Sequence, residues 1–160
     1  MKILIAAASK TGTALKCAEL LAEKLNGAEV ADLTQKQPDI SGYDIIIIGG
    51  SIRAGMLHKK ATEFIQKNAE LLKDKKHAFY ICCGSPENAK DVFQKNFPAQ
   101  LLENSIAAEC FGGELDISKM KGMDKFITKM VMNASKNDPA KEKPHILTEN
   151  ISAFALKIIG

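Results

Sequence analysis

The opening of the chain narrows the fold more than any other stretch. Ile3 to Ala8 are apolar without alternation, and the run stops at once in Ser9-Lys10-Thr11-Gly12-Thr13. A strand with this pattern is buried on both faces, as in a parallel sheet. A helical pattern follows with no linker. Strand, hydroxyl- and glycine-bearing turn, and helix N-terminus together build an anion site. The first helical amides have no intrahelical acceptor and carry the positive end of the dipole. Gly12 permits a backbone that a Cβ would block, and Ser9, Thr11 and Thr13 offer hydroxyl donors. Lys10 either adds charge or points into water. A single phosphate monoester suits such a pocket. The turn is neither a Gly-x-Gly-x-x-Gly nor a Gly-x-x-x-x-Gly-Lys-Ser/Thr motif, and the plainer alternative is a capped strand-to-helix turn.

The rest of the chain repeats the alternation. Ala14 to Asn26 carries Leu15, Ala18, Leu21, Ala22 and Leu25 at helical spacing, with Gly27 at the position of a C-terminal stop. Ala28 to Leu33 reads as a second strand, and Thr34 to Gly42 as a polar connection without a helix. Asp44-Ile-Ile-Ile-Ile-Gly-Gly50 is the clearest strand, opening into a loop, Ser51 to Met56. His58 to Leu72 is a helix with Ala61, Phe64, Ile65, Leu71 and Leu72 inward. Ala78 to Cys83 is a strand broken by Gly84-Ser85-Pro86, and Pro86 suits a helix first turn. The following helix, Glu87 to Glu103, should kink or split at Pro98. Ser105 to Phe111 is a fifth strand. Strands alternating with helices argue for a parallel sheet covered on both faces. Ligands of such sheets bind beyond the carboxyl ends of the strands, where the strand order reverses. Ser9–Ala14, Ser51–Met56 and Cys83–Asn88 are the three loops expected there.

Length and composition limit the function classes. The 160 residues suit one domain with a sizeable core, 1–160. The net charge of +3 comes from interspersed signs, which gives no footprint for nucleic acid. Cys17, Cys82, Cys83 and Cys110 show no metal-ligand spacing and read as reduced, buried thiols of a cytoplasmic protein. No metal site is expected. The apolar run after Lys2 is too short for a signal peptide, no stretch is long enough for a membrane span, and the start reads as a first strand. Cys82 and Cys83, adjacent on a strand, should point to opposite faces.

In the last third, Met120, Met123, Ile127, Met130, Val131 and Ala134 share one face of a helical pattern over Leu115 to Lys136. Lys119, Lys121, Lys125, Lys129 and Lys136 lie elsewhere on it. The segment reads as a helix packed on the sheet, or as a surface for a flat apolar ligand, a partner or an anionic membrane. A polar linker, Asn137 to Pro144, leads to a final helix capped by Thr148, with Ile151, Phe154, Ala155 and Ile158 inward.

These motifs resemble those of the flavodoxins. Ser9-Lys-Thr-Gly-Thr-Ala14 is similar to the family's Thr/Ser-x-Thr-Gly-x-Thr loop, which holds the terminal phosphate of FMN. Ala14 stands where the family has threonine, which removes one hydroxyl; that of Thr13 is the candidate to compensate. More specifically, the chain resembles the flavodoxin-like protoporphyrinogen oxidase (protoporphyrinogen IX dehydrogenase) family. The segments that carry this are Gly50-Ser-Ile-Arg-Ala-Gly55 followed by His58, Phe111-Gly-Gly-Glu-Leu115, and Met123-Asp-Lys-Phe-Ile-Thr-Lys-Met130.

The resemblance implies an α/β, flavodoxin-like, doubly wound five-stranded parallel sheet of order 2-1-3-4-5. A helical insertion, about 115–145, would follow the fifth strand. Ser9, Lys10, Thr11, Gly12, Thr13 and Ala14 would bind the FMN phosphate. Ser51, Ile52, Arg53, Ala54 and Gly55 would line one side of the isoalloxazine ring, and Cys83, Gly84 and Ser85 the other, with Cys83 at its edge. Arg53 would meet the ring or an acidic substrate. Neither ring loop contains an aromatic residue, which implies an exposed flavin with room for a second planar substrate, or a site that has lost tight flavin binding. No side chain is marked as a general base, and His58 reads more readily as a surface residue in a helix first turn. One functional expectation is a flavin-dependent dehydrogenase acting on a reduced tetrapyrrole and passing electrons to a quinone, aided by the basic helix 119–136 at the membrane surface. The alternatives are a flavodoxin-type electron carrier between redox proteins, disfavoured by the mildly basic charge, and a flavodoxin-like module without flavin.

Overall fold

The computed structural model describes residues 1–113 and 145–160. The expected helix over 115–136, the linker over 137–144 and the Met123–Met130 motif therefore lie outside the described residues. The strands are β1 (Ile3–Ala8), β2 (Glu29–Asp32), β3 (Ile45–Arg53), β4 (Met56–Leu57), β5 (Lys76–Cys82) and β6 (Ala108–Cys110). The helices are α1 (Thr13–Lys24), α2 (Lys59–Lys73), α3 (Ala89–Asn96), α4 (Ala99–Glu103) and α5 (Thr148–Ile159).

The parallel strands run in the order β2-β1-β3-β5-β6, which is the expected five-stranded order, with β4 added antiparallel to β3. Period-two alternation splits the core in two. Ile3, Ile5, Ala7, Ile45, Ile47, Ala78 and Tyr80 face α1 and α5. Leu4, Ala6, Ala8, Ile46, Ile48, Phe79 and Ile81 face α2, α3 and α4. On the first face Tyr80 stacks on Phe111, with ring centroids 4.6 Å apart, and Phe154 meets both rings edge-on. On the second, Phe79, Phe93 and Phe97 form a tilted cluster.

No helix joins β2 to β3. Leu33 and Ile40 are instead buried by a connection whose turns are tied by side chains. Asp32 accepts from the amide and hydroxyl of Thr34, and Asp39 from the amide of Ser41. The helix expected over 87–103 divides where anticipated. A short 3₁₀ turn, Pro86–Asn88, precedes α3, and Phe97, held extended ahead of Pro98, separates α3 from α4.

Three expectations are corrected. Leu71 is 49% exposed, and Asn68 takes the inward position, its amide donating to the Phe64 carbonyl at 2.9 Å. Thr148 is the first residue of α5 and Leu147 its N-cap. The fifth strand is only Ala108–Cys110, because beyond it the chain turns at Gly112, φ 73°, and bridges to Ile146.

Candidate functional site

Three loops leave the carboxyl ends of the neighbouring strands β1, β3 and β5. The strand order reverses between β1 and β3, so the loops meet at the switch point. The first is Ser9 to Ala14. Gly12 caps α1 with φ 96°, a left-handed conformation that favours glycine, while a Cβ there would meet nothing within 4 Å. The glycine is thus required by the turn and not by crowding. The Ser9 hydroxyl accepts from the amides of Gly12, at 2.9 Å, and Ala14, at 3.2 Å, and draws the loop into a ring. The hydroxyls of Thr11 and Thr13 make no hydrogen bond to other described residues.

Ala14 enters this arrangement through its backbone. Its methyl is fully buried under α1, so a threonine hydroxyl at this position would leave water for the core. Its carbonyl accepts a 2.8 Å hydrogen bond from the buried Tyr80 hydroxyl. Tyr80 reaches it by lying across Gly49 of β3, where a methyl would overlap the tyrosine ring. Burial pushes the Tyr80 hydroxyl well above the usual phenol range, so it remains a donor.

The second loop is a hairpin and not the open segment expected. β3 continues through Ser51 and Ile52 to Arg53, which pairs with Met56, and Ile52 pairs with Leu57. The two-residue turn Ala54-Gly55 has φ 51° and 75°, the double left-handed geometry that matches the twist of hairpin strands. Sequence reasoning missed the residue that holds it, Asn96 at the end of α3. The Asn96 amide donates to the Gly55 carbonyl at 2.8 Å and to Val92 at 2.9 Å, while its oxygen accepts from the Leu57 amide at 2.9 Å. A polar residue closing a helix just before Phe97-Pro98 was the only available signal.

His58 caps α2, its Nδ1 accepting from the Lys60 amide at 3.1 Å. Burial, helped by the positive charges of Lys10, Arg53 and Lys60 and opposed by Asp32, holds its pKa below the ordinary imidazole value. Lys10 and Arg53, from the first and second loops, thus both bear on one point at the rim of the site.

In the third loop Gly84 and Ser85 are exposed, and the Cys83 side chain turns inward. It is 9% exposed, with Sγ 3.5 Å from Cys110 Sγ. Cys82 points to the opposite face, as expected, with Sγ 3.7 Å from Cys17 Sγ. Among the described residues no group of acidic, histidine and cysteine side chains is arranged to hold a metal, and no helix is long and apolar enough to cross a membrane.

An αL glycine at a helix N-terminus, two available threonine hydroxyls and first-turn amides without intrahelical acceptors fit a phosphate monoester. The hairpin and the third loop rise from adjacent strands, Ser51 pairing with Cys82, and so flank one space beside it.

Fold and site together define a flavodoxin-like α/β protein with a phosphate loop at its switch point. A flavodoxin-domain model matches residues 4–142, and the chain belongs to that family. It is 30% identical over 173 residues to the Escherichia coli (strain K12) protoporphyrinogen IX dehydrogenase [quinone], with 99% of this chain and 94% of that protein covered. Oxidised flavodoxin 2 from Bacillus cereus superposes with a TM-score of 0.61 at 21% identity, covering 99% of this chain and 98% of that one. A Lactobacillus acidophilus NCFM flavoprotein in complex with FMN gives 0.54 at 15% identity, covering 68% and 92%.

Proposed function

We propose that this chain is an FMN-dependent dehydrogenase that removes hydrogen from a reduced tetrapyrrole of the protoporphyrinogen type and delivers the electrons to a quinone. The observation that carries the reading is the end-to-end 30% identity to the E. coli enzyme. The three loops agree with it. Thr11 and Thr13 hold the phosphate with their amides and hydroxyls, Gly12 makes the turn, and Ser9, which accepts from the Gly12 and Ala14 amides, keeps the loop closed around it. Ser51 to Gly55 and Gly84-Ser85 flank the ring. Bound FMN supplies the two-electron chemistry, and the protein supplies binding, orientation and the local field. Without an aromatic lid, one side of the ring space stays open to a second planar molecule. Lys10 and Arg53 give that opening a positive rim suited to carboxylates. The lysine-rich sequence of 119–136 would suit docking at an anionic membrane surface where a quinone resides. Four free, buried thiols suit a reducing, cytoplasmic setting.

The test is titration of the apoprotein with FMN, followed by absorbance and flavin fluorescence, and then turnover of protoporphyrinogen with a quinone. Saturable one-to-one binding and turnover without a protein partner are expected. Binding with reduction only through a partner protein would replace the enzyme with a carrier, and failure to bind would remove both.

A further inference from the structure

All four cysteines are free and buried, yet they form two close pairs in unlike surroundings. Cys17 and Cys82 meet on the α1 face, one in the middle of a helix and one in the last position of β5. Cys17 is fully buried and Cys82 is 3% exposed. The hydrogen bond to Cys17 and burial push the Cys82 thiol well up, so it stays protonated.

Cys83 and Cys110 meet on the opposite face, where the sheet stops. β5 has ended at Cys82, β6 ends at Cys110, and their ladder closes with Ile81 opposite Cys110. The contact with the Cys110 thiol, with the backbone at Ser85, lowers Cys83 to about 7 against the opposing effect of burial. The same contact raises Cys110, which keeps the proton. Thiolate character and access together decide which thiol reacts. Access exists on this side as well. Cys83 is the most exposed of the four, and a cleft of about 340 Å³ lined by Ala89, Phe93, Leu102, Ala108 and Glu109 reaches Cys110.

Geometry separates the pairs further. A disulfide requires the sulfurs to close to about 2.0 Å. Cys83 is followed by Gly84 in the third loop, and Cys110 is two residues from Gly112 at φ 73°, so both backbones leave the ladder beside a glycine. Gly112 also donates its amide to Cys110 Sγ at 3.4 Å, which orients the sulfur. Cys17, locked in α1 beneath the phosphate loop, has no such freedom.

We propose that Cys83 and Cys110 are a redox-active dithiol that closes to an intramolecular disulfide on reaction with a hydroperoxide. The Cys83 thiolate attacks the peroxide; the O–O bond breaks, an S–O bond forms, and the departing hydroxide (or alkoxide) takes up a proton. Cys110 then attacks the Cys83 sulfur. The S–S bond forms, the S–O bond breaks, and the Cys110 proton leaves with the oxygen as water. The dithiol loses two electrons and the peroxide gains two. The new bond draws the third loop toward β6. None of this depends on the flavin reading.

The test uses the full chain, fully reduced and freed of reductant, then exposed to hydrogen peroxide with thiol counting and peptide mapping. The expected result is loss of two thiols, a Cys83–Cys110 bridged peptide, and recovery with dithiothreitol. Cys17 and Cys82 should become alkylatable only on denaturation. The wild-type chain is read first, so a misfolded variant cannot decide the matter. Cys110→Ser should stop at a sulfenic acid on Cys83, captured by dimedone. Cys83→Ser should consume peroxide about tenfold more slowly or less, having lost the low-pKa thiol. A Cys17–Cys82 bridge, a bridge between two chains, or four intact thiols in excess peroxide would overturn the proposal.

Discussion

The two faces of the sheet hold the candidate site by different means. Under α1 and α5 the phosphate loop is fastened from below, because Tyr80, stacked on Phe111 and met edge-on by Phe154, carries its hydroxyl to the Ala14 carbonyl. Under α2 and α3 the hairpin is fastened from the side by a single part-buried amide, Asn96. One attachment runs through close-packed rings, the other through two hydrogen bonds at a rim. Packed interiors resist displacement, whereas rim hydrogen bonds exchange with water. The loop that must present a fixed ring of amides is held rigidly, and the loop beside the open ring space is held adjustably.

The largest expected effect tests the packed side. A methyl at Gly49 would overlap the Tyr80 ring in a central strand that cannot recede. Gly49→Ala should cost about 3 kcal/mol, the upper part of the overpacking range, read as a shift of the urea midpoint. A protein of unchanged stability would break the account of this face.

On the other face, Asn96→Leu removes the partners of the Leu57 amide and the Gly55 carbonyl. It should cost about 1–3 kcal/mol and loosen the hairpin, with FMN affinity falling alongside stability. Asn96→Asp, which keeps the acceptor for Leu57, should lose less.

Tyr80→Phe sharpens the comparison, since it keeps the packed ring and deletes only the hydroxyl. A cost of about 1 kcal/mol is expected by denaturation. If it exceeds the cost of Asn96→Leu, the phosphate loop is held by the hydrogen bond and not by the packing.

The smallest effect is a pH dependence at the rim. His58 has a folded pKa below its ordinary value of 6.5, so the folded state binds fewer protons there than the unfolded chain. Its contribution is full above pH 6.5 and is lost as pH falls through the lower folded value. Stability measured between pH 8 and 5 should therefore fall on acidification more in the parent than in His58→Ala.

Much of the fold was legible because its signals are local. The unbroken runs Ile3–Ala8 and Ile45–Gly50 can only be strands covered on both faces, and Pro98 must interrupt a helix. Gly12 announced a turn, and its φ of 96° bears that out. Less legible were features made by residues far apart in the chain. Asn96 looks like an ordinary helix end until the hairpin is folded against it, 41 residues from Gly55. The hairpin itself was hidden because Ala54-Gly55 is an uncommon sequence for a double left-handed turn. The contact of Cys83 was hidden for a related reason. Alternation says which face it takes, but only β6 brings the Cys110 thiol that turns it inward.

The sequence by itself determined the alternation of strands and helices, the parallel sheet and the nature of the first loop. Those follow from apolar runs, a glycine and hydroxyls read over a few residues, where local sterics and burial leave one solution. Tertiary structure alone decided how the loops are held and which thiols face one another. Tyr80 and Ala14 are 66 residues apart, and Cys83 and Cys110 are 27 apart. Such contacts arise when the sheet closes and sets neighbouring strands about 4.8 Å from each other, a proximity that no local pattern in the chain encodes.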